Sequence, residues 1–332
     1  MLFPVRTHGF VPWPLGRCGY PKWAAASTCS RGTASAGSRV YSSTREERTI
    51  YTIDSPPTDP MALREVVTKH CLSLDLFLSK KPIASHTIEA FSKIQATIPK
   101  NATLVLDSGC GTGRSTRHLA SKVIVNDNKN NNTWVLGIDR SLARLERNHG
   151  YRTQNASDDD VLVDTRIRDD AESNNSNPNH VLWIRAELVD FWRLLLQHQQ
   201  EYQWNIQAHY LLYPNPYPKN KRWRSRWYGH PSFPLILQLG GDIVIRSNWE
   251  LYLQEFAQAV ILADKSYPNT TTISSNNWAR PYVESARKGP VRRVVAPEDV
   301  RTAGWSNFER KYDLDGEPTF ELALTRSCSP ST

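Results

Sequence analysis

The chain has 332 residues, 39% of them hydrophobic, and a formal charge of +8. That is enough for one sizeable α/β domain with extensions or for two small domains, and no apolar run approaches the roughly 20 residues of a membrane span, which points away from a membrane partner. The charge is no argument for nucleic acid in itself, because Arg6, Arg17, Lys22, Arg31, Arg39 and Arg45 give +6 in an acid-free start and leave +2 for the rest.

Residues 1–45 are rich in Arg, Ser and Ala, and the first acid is Glu46. This is the composition of an organellar transit peptide, with a cut near Arg39–Tyr41. The mitochondrion is the expected destination, a plastid the alternative, and the cytoplasm a third if the stretch is a plain N-terminal tail. Residues 46–100 form a helical extension: Met61, Leu63, Val66, Val67, Leu74 and Phe77 predict a helix over 60–80, and a second runs from Pro82 to Ala96. Then the period changes. Thr103–Asp107 is a strand, Ser115–Lys122 a helix, Trp134–Asp139 a strand and Leu142–Asn148 a helix. Val181–Ala186, Ala208–Tyr213, Asp242–Arg246 and Phe320–Thr325 are further strands, with helices over Val189–Gln197 and Glu250–Leu262. Two polar, Asn- and Asp-rich stretches, 126–133 and 155–179, read as surface insertions too poor in apolar residues to order themselves.

Alternating short strands and helices predict an α/β fold with a doubly wound, mostly parallel sheet over residues 101–326, followed by a tail, 327–332. Ligands bind such sheets at the carboxyl ends of the strands. Asp107, Asp139 and Asn215 stand at strand ends and are expected to face one crevice. The five cysteines include no C-x-x-C pair, and no His pair has metal-ligand spacing, so no metal, zinc or disulfide framework is expected.

"LVLDSGCGTGRST" puts Gly109, Gly111 and Gly113 between a strand and a helix. Glycine permits a sharp turn and a close approach to a ligand, and a helix start offers free amides. A dinucleotide site calls for a glycine at position 114, which is Arg114 here. The G-x-G-x-G form with Asp107 two residues ahead instead resembles motif I of S-adenosylmethionine-dependent methyltransferases; a structural glycine turn is the competing reading.

Further on, "HYLLYPNPYPKNKRWRSRWYGH" (209–230) joins a rigid Asn215-Pro216-Tyr217-Pro218 elbow to a ribbon that alternates cations with aromatics. Lys221, Arg222, Arg224 and Arg226 are candidate RNA phosphate contacts, with rings to stack on bases. The alternative is that Trp223 and Trp227 form the buried face of a short helix with the charges outside. A second basic region (Arg280, Arg287, Lys288, Arg292, Arg293) is as readily an exposed loop. Trp249 reads as core, Asp242 and Glu250 as surface or capping residues, and His230 as a weak phosphate candidate.

"YPNPYPK", "RSNWELYLQEF" and "WSNFERKYDLDGEPTFELALTR" follow one another in that order, and with the glycine loop they resemble the tRNA (guanine-N7) methyltransferase family over about residues 101–326. The resemblance implies a Rossmann-like class I methyltransferase fold, S-adenosyl-L-methionine as cofactor and tRNA as partner. It assigns Asp107, Gly109, Gly111, Gly113, Asp139 and Glu187 to the cofactor. It makes Asn215 the candidate catalytic residue, bordering cofactor and base alike. Lys219, Asn248, Ser306, Asn307, Phe308 and Glu309 become substrate contacts. Two aspartates of the family are asparagines here, Asn215 and Asn248. An amide can still accept from guanine N1–H or N2–H, but it cannot offset the charge that N7 methylation creates. Asn215-Pro216-Tyr217 also looks like the N-P-P-[YF] elbow of amino-methylating enzymes, which would move the target to adenine N6 or a protein side chain. A third reading is an RNA-binding paralogue without turnover.

Overall fold

The computed structural model describes residues 57–126, 132–147, 161–164, 180–266, 277–289, 291–294 and 305–327, all within the compact unit Ile50–Thr332. The proposed transit peptide and most of both polar insertions lie outside the described residues.

Asp59 starts the first helix, α1 (Pro60–Leu72). Its carboxylate accepts from the Met61 amide at 3.1 Å, and Pro60 takes the first position, where no amide is required. The sequence reads as one helix to residue 80. Instead the chain breaks at Ser73, whose amide and hydroxyl both donate to the Lys69 carbonyl, and it restarts as α2 (Leu74–Lys80). The third helix, α3 (Ser85–Thr97), begins three residues after Pro82, because the Ala84 amide donates to Asp190 at 3.0 Å and holds the chain extended up to that point. Leu63, Val67, Phe91 and Ile94 turn the apolar sides of α1 and α3 into the main core.

The elements that follow are β1 (Thr103–Ser108), α4 (Arg114–Asn126), β2 (Thr133–Asp139), α5 (Leu142–Leu145), β3 (Val161–Asp164), β4 (His180–Arg185), α6 (Leu188–Tyr202) and β5 (Asn205–Leu212). After two 3-10 turns come α7 (Phe233–Gln238), β6 (Asp242–Ser247), α8 (Glu250–Ser266), α9 (Val283–Lys288), β7 (Arg292–Val294), α10 (Asn307–Asp315) and β8 (Thr319–Leu324). The strands form one sheet in the order β3-β4-β2-β1-β5-β6-β8-β7. The central five run parallel, while β3 and β8 run against their neighbours. The fold is therefore α/β with a mostly parallel, doubly wound sheet behind a helical extension.

Alternation along the central strands sends side chains to two separate cores. Leu104, Leu106, Leu136, Leu182 and Ile184 face the larger one, with α1, α3, α6 and α8. Val105, Val135, Val181 and Trp183 face the smaller one, under α4 and α5. Gly137 allows α4 to sit this close to β2, since a Cβ there would lie 2.5 Å from Thr116 Oγ1.

The expectation that 155–179 carries no order is corrected over four residues near its start. Val161–Asp164 pairs antiparallel with β4, Val161 opposite Ile184. The open edge of β4 supplies backbone partners to a short apolar run that could not have stood alone. Other differences are of length, α4 continuing past Lys122 to Asn126 and α5 closing after a single turn, and α7, α9, β7 and α10 are elements that the sequence reading did not name.

Candidate functional site

From β1 the chain moves outward on one side, to β2 and β4, and then returns through α6 to β5 on the other side of β1. The carboxyl ends of β1 and β5 thus flank the point where the winding reverses, which is where open α/β sheets hold ligands. A cavity of about 450 Å³ lies there. Ser108 and Gly109 come from the end of β1, Tyr213–Pro216 from the elbow after β5, and Asn248 from the end of β6. Phe308 and Tyr312, one turn apart on α10, also line it, as do Arg144 and Trp227.

The glycine turn is built by backbone conformation. Gly109, Gly111 and Gly113 have φ of +85°, +60° and +75°, which side chains with a Cβ adopt at a cost. A Cβ on Gly109 or Gly111 would meet nothing within 4 Å, so the space above the turn is open. The turn is tied down from beneath. Amides of Gly109 and Cys110 donate to the Ile138 carbonyl, and the Gly111 amide donates to Asp139 Oδ2 at 3.0 Å.

Asp107 and Asp139 lie behind this turn and do not line the cavity. Asp107 is 1% exposed. Its Oδ2 accepts from the hydroxyls of Ser115 (2.6 Å) and Thr116 (2.7 Å), so it anchors the first turn of α4. Burial pushes its pKa up to about 6, against the pull of those two hydroxyls. Asp139 is also buried; besides Gly111 it accepts from the Ser141 amide at 2.8 Å and from Arg144 at 3.4 Å. Glu187 caps α6 by position only, without a side-chain cap bond, next to Leu188 of the lining. Gly111 and Gly113 share the turn with Gly109 without lining the cavity.

Asn215 and Asn248 do share the cavity, although 32 residues separate them in sequence. The elbow that carries Asn215 is strained: Tyr213 and Tyr217 have φ of +53° and +44°. Asn215 Oδ1 accepts from the Tyr217 amide at 3.1 Å, closing the turn on itself. Tyr213 packs against Phe308 and Tyr312, with ring centroids 6.4 and 5.6 Å away, and its amide donates to the Arg246 carbonyl at 2.8 Å. The Tyr217 ring does not line the cavity.

The C-terminal segment divides in two. Phe308 is 56% exposed at the cavity, and Asn307 donates to Thr112 Oγ1 in the glycine turn at 2.8 Å. Ser306 and Glu309 point inward instead, which corrects their reading as substrate contacts. Ser306 caps α10 by accepting from the Glu309 amide. Glu309, 2% exposed, pairs with Arg246 at 2.6 Å. Burial raises the Glu309 carboxyl, and Arg246 offsets this in part. Arg246 also pairs with Glu321 at 2.7 Å and lies against the Trp305 ring at 3.6 Å.

In the ribbon, Trp223 and Trp227 pack on the core from two 3-10 turns while Lys219, Lys221, Arg222 and Arg224 are exposed. The geometry is that of the second reading, rings inward and cations outward, with 3-10 turns in place of a short helix. Lys219 stands outside the cavity lining. Arg226 is the correction. It is fully buried, ion-paired to Glu255 at 2.9 Å, and unable to reach a phosphate as folded. His230 is held neutral, its pKa lowered by burial to about 4. In the second basic region Arg280 pairs with Asp264, Lys288 with Glu284 and Arg292 with Glu321, leaving Arg287 and Arg293 exposed.

Tyr213, Tyr312, Arg144 and Arg246 were not singled out from the sequence. Tyr312 could have been found as the residue four after Phe308 once a helix over 307–315 was recognised. Arg144 and Arg246 carry no local signal.

No protein-family model and no curated protein matches the chain. Among solved structures it is similar to two crystal structures of the antibiotic-resistance methyltransferase Kmr. One is 14% identical over 70% of this chain and 92% of that one, with a TM-score of 0.30; the other is 13% identical over 71% and 92%, with a TM-score of 0.31. A likeness this loose carries no argument about chemistry, which rests on the cavity and the residues around it.

Proposed function

We propose that the chain is an S-adenosylmethionine-dependent RNA methyltransferase whose target is N7 of a guanine in tRNA. One observation carries the reading: a cavity at the winding reversal brings the glycine turn, the Asn215 elbow, Asn248 and Phe308 together, beside an exposed cationic ribbon. The residues fit the cofactor. The space over Gly109 and Gly111 is open to it, and Asp139 at the end of β2 holds carboxylate oxygens that would exchange the donors Gly111 and Arg144 for ribose hydroxyls. When bound, the cofactor supplies a methyl group on a sulfonium sulfur. Asn215 and Asn248 would accept from the donor edge of the base, and Phe308 and Tyr312 would cover its face. Guanine N7 has a free lone pair and no proton to lose, so the reaction calls for placement rather than a base. Among the described residues no Asp or Glu lines the cavity, so no carboxylate there offsets the charge that forms at N7. Lys219, Lys221, Arg222 and Arg224 would neutralise backbone phosphates.

The amino-methylating reading requires the aromatic of the elbow to stack on the base, and the Tyr217 ring lies outside the cavity lining. Import into the mitochondrion is proposed with the function, and mass spectrometry of the native N-terminus tests it: an intact Met1 removes the idea.

The function is tested by incubating the protein with methyl-labelled S-adenosylmethionine and total tRNA and identifying the labelled nucleoside. 7-Methylguanosine is expected. N6-methyladenosine or labelled protein would establish the amine reading, and donor binding without product would establish a binding protein. Asn215→Asp should raise the 7-methylguanosine rate, because a carboxylate offsets the charge formed at N7.

A further inference from the structure

Arg226 is the one cation of the ribbon that turns inward, and its surroundings explain why. Its Nε donates to the Pro216 carbonyl at 3.0 Å and its Nη2 to the Tyr217 carbonyl at 3.1 Å. These are the carbonyls of the two residues that follow Asn215. Tyr217 is held at a φ of +44°, a conformation that an L-residue keeps only where its surroundings enforce it. The guanidinium face lies 4.4 Å from the Trp249 ring centre, and Trp249 directly follows Asn248, the second cavity amide. One fully buried side chain therefore touches the backbone next to Asn215 and the residue next to Asn248.

Arg226 is fixed in turn. Its Nη1 donates to Glu255 Oε2 at 2.9 Å and to the Tyr228 hydroxyl at 2.9 Å, and Tyr228 donates to the same Glu255 oxygen. The other Glu255 oxygen accepts from the Thr58 amide at 2.6 Å, and the Thr58 hydroxyl accepts from Arg226 at 3.4 Å. Thr58 immediately precedes the cap of α1. A buried ion pair is a poor way to gain stability, since apolar residues of the same volume do as well. It is an effective way to fix a backbone, because a planar guanidinium can meet two carbonyls at set angles where an ammonium cannot.

We propose that Arg226, oriented by Glu255 and Thr58, is a positioning residue that sets the Asn215 elbow against Asn248. The start of the helical extension and the presentation of the target base then form one unit. The role in turnover rests on the methyl-transfer reading above; the role in shaping the elbow does not.

The test uses the full chain with Arg226→Lys, Glu255→Gln and, as a mild variant that spares the ion pair, Thr58→Val. Two readouts are taken. The first is hydrogen exchange at the Tyr217 amide, which bonds to Asn215 Oδ1. It is expected to quicken at least ~10-fold in Arg226→Lys and Glu255→Gln, as elbow opening becomes easier by about 1.4 kcal/mol or more. The second is methyl transfer to tRNA, scored per folded molecule. There kcat is expected to fall ~10- to 100-fold, the loss that a displacement of about 1 Å brings, while the Kd for S-adenosylmethionine from calorimetry stays within twofold of wild type. Thr58→Val should move both readouts the same way by a smaller factor. Unchanged Tyr217 exchange in Arg226→Lys and Glu255→Gln overturns the proposal, as does an unchanged kcat in an active protein. If the wild type transfers no methyl group, the functional reading fails and the exchange data alone decide the positioning role.

Discussion

Asp107 offers the sharpest test of the electrostatics beneath the glycine turn. In the folded chain its pKa is about 6, against 3.8 for an ordinary aspartate, because its carboxylate is buried and only Ser115 and Thr116 compensate. An acid whose pKa is raised by folding binds its proton more tightly in the folded state. Stability is therefore greatest at low pH and is lost as pH rises from about 4 through 6. A shift of roughly two units corresponds to about 3 kcal/mol. The Asp107→Asn variant keeps an oxygen for both hydroxyls and has no charge to bury. Urea unfolding of both proteins at intervals from pH 4 to pH 7.5 measures the effect. Taking the difference cancels titrations elsewhere, including His118 and His209, whose pKa values burial lowers to about 4 and about 3. The stability of the wild type relative to the variant should fall by about 2–2.5 kcal/mol across this range and level off above pH 7. A difference independent of pH would refute the reasoning, and one that grew with pH would mean that the carboxylate is stabilised by a charge not accounted for.

Three further outcomes are expected. Arg246→Ala leaves Glu309 and Glu321 buried without their shared cation, and unfolding free energy should drop by about 3–5 kcal/mol in urea titrations; a loss under ~1 kcal/mol would mean that water reaches the pair. Gly137→Ala forces a methyl to within 2.5 Å of Thr116 Oγ1 and should cost about 1–3 kcal/mol in the same assay. Replacing Lys221, Arg222 or Arg224 with alanine should weaken tRNA binding and lower the slope of log K against log salt by about one each, read by filter binding from 50 to 300 mM salt; an unaltered slope would take that residue off the phosphate path.

The central strands were legible because each is an apolar run bounded by a turn signal, and a parallel sheet buried on both faces permits no other pattern. The glycine turn was legible for a similar reason: three residues at positive φ leave a local trace. What escaped the sequence depends on neighbours distant in the chain. Val161–Asp164 is a strand because β4 has a free edge. Glu309 turns inward because Arg246, some sixty residues earlier, waits in the core, and Ser306 caps the helix that carries it. Arg226 cannot be told from Arg224 by composition; Glu255 and the elbow carbonyls make the difference. Asn215 and Asn248 were paired by the family resemblance and by no local signal; the adjacency of β5 and β6 in the sheet is what brings them together.

The outermost strand, β7, has another consequence. Sheets with bare rims recruit strands from other molecules and grow into aggregates. Among the described residues the rim spans Arg292–Val294, and two of its three side chains are exposed guanidinium groups. An intruding peptide would gain two or three backbone bonds at most, and a second copy of this chain would bring like charge against like. The sheet ends where extension no longer repays the intruder, so the protein is protected from stacking on itself along that side.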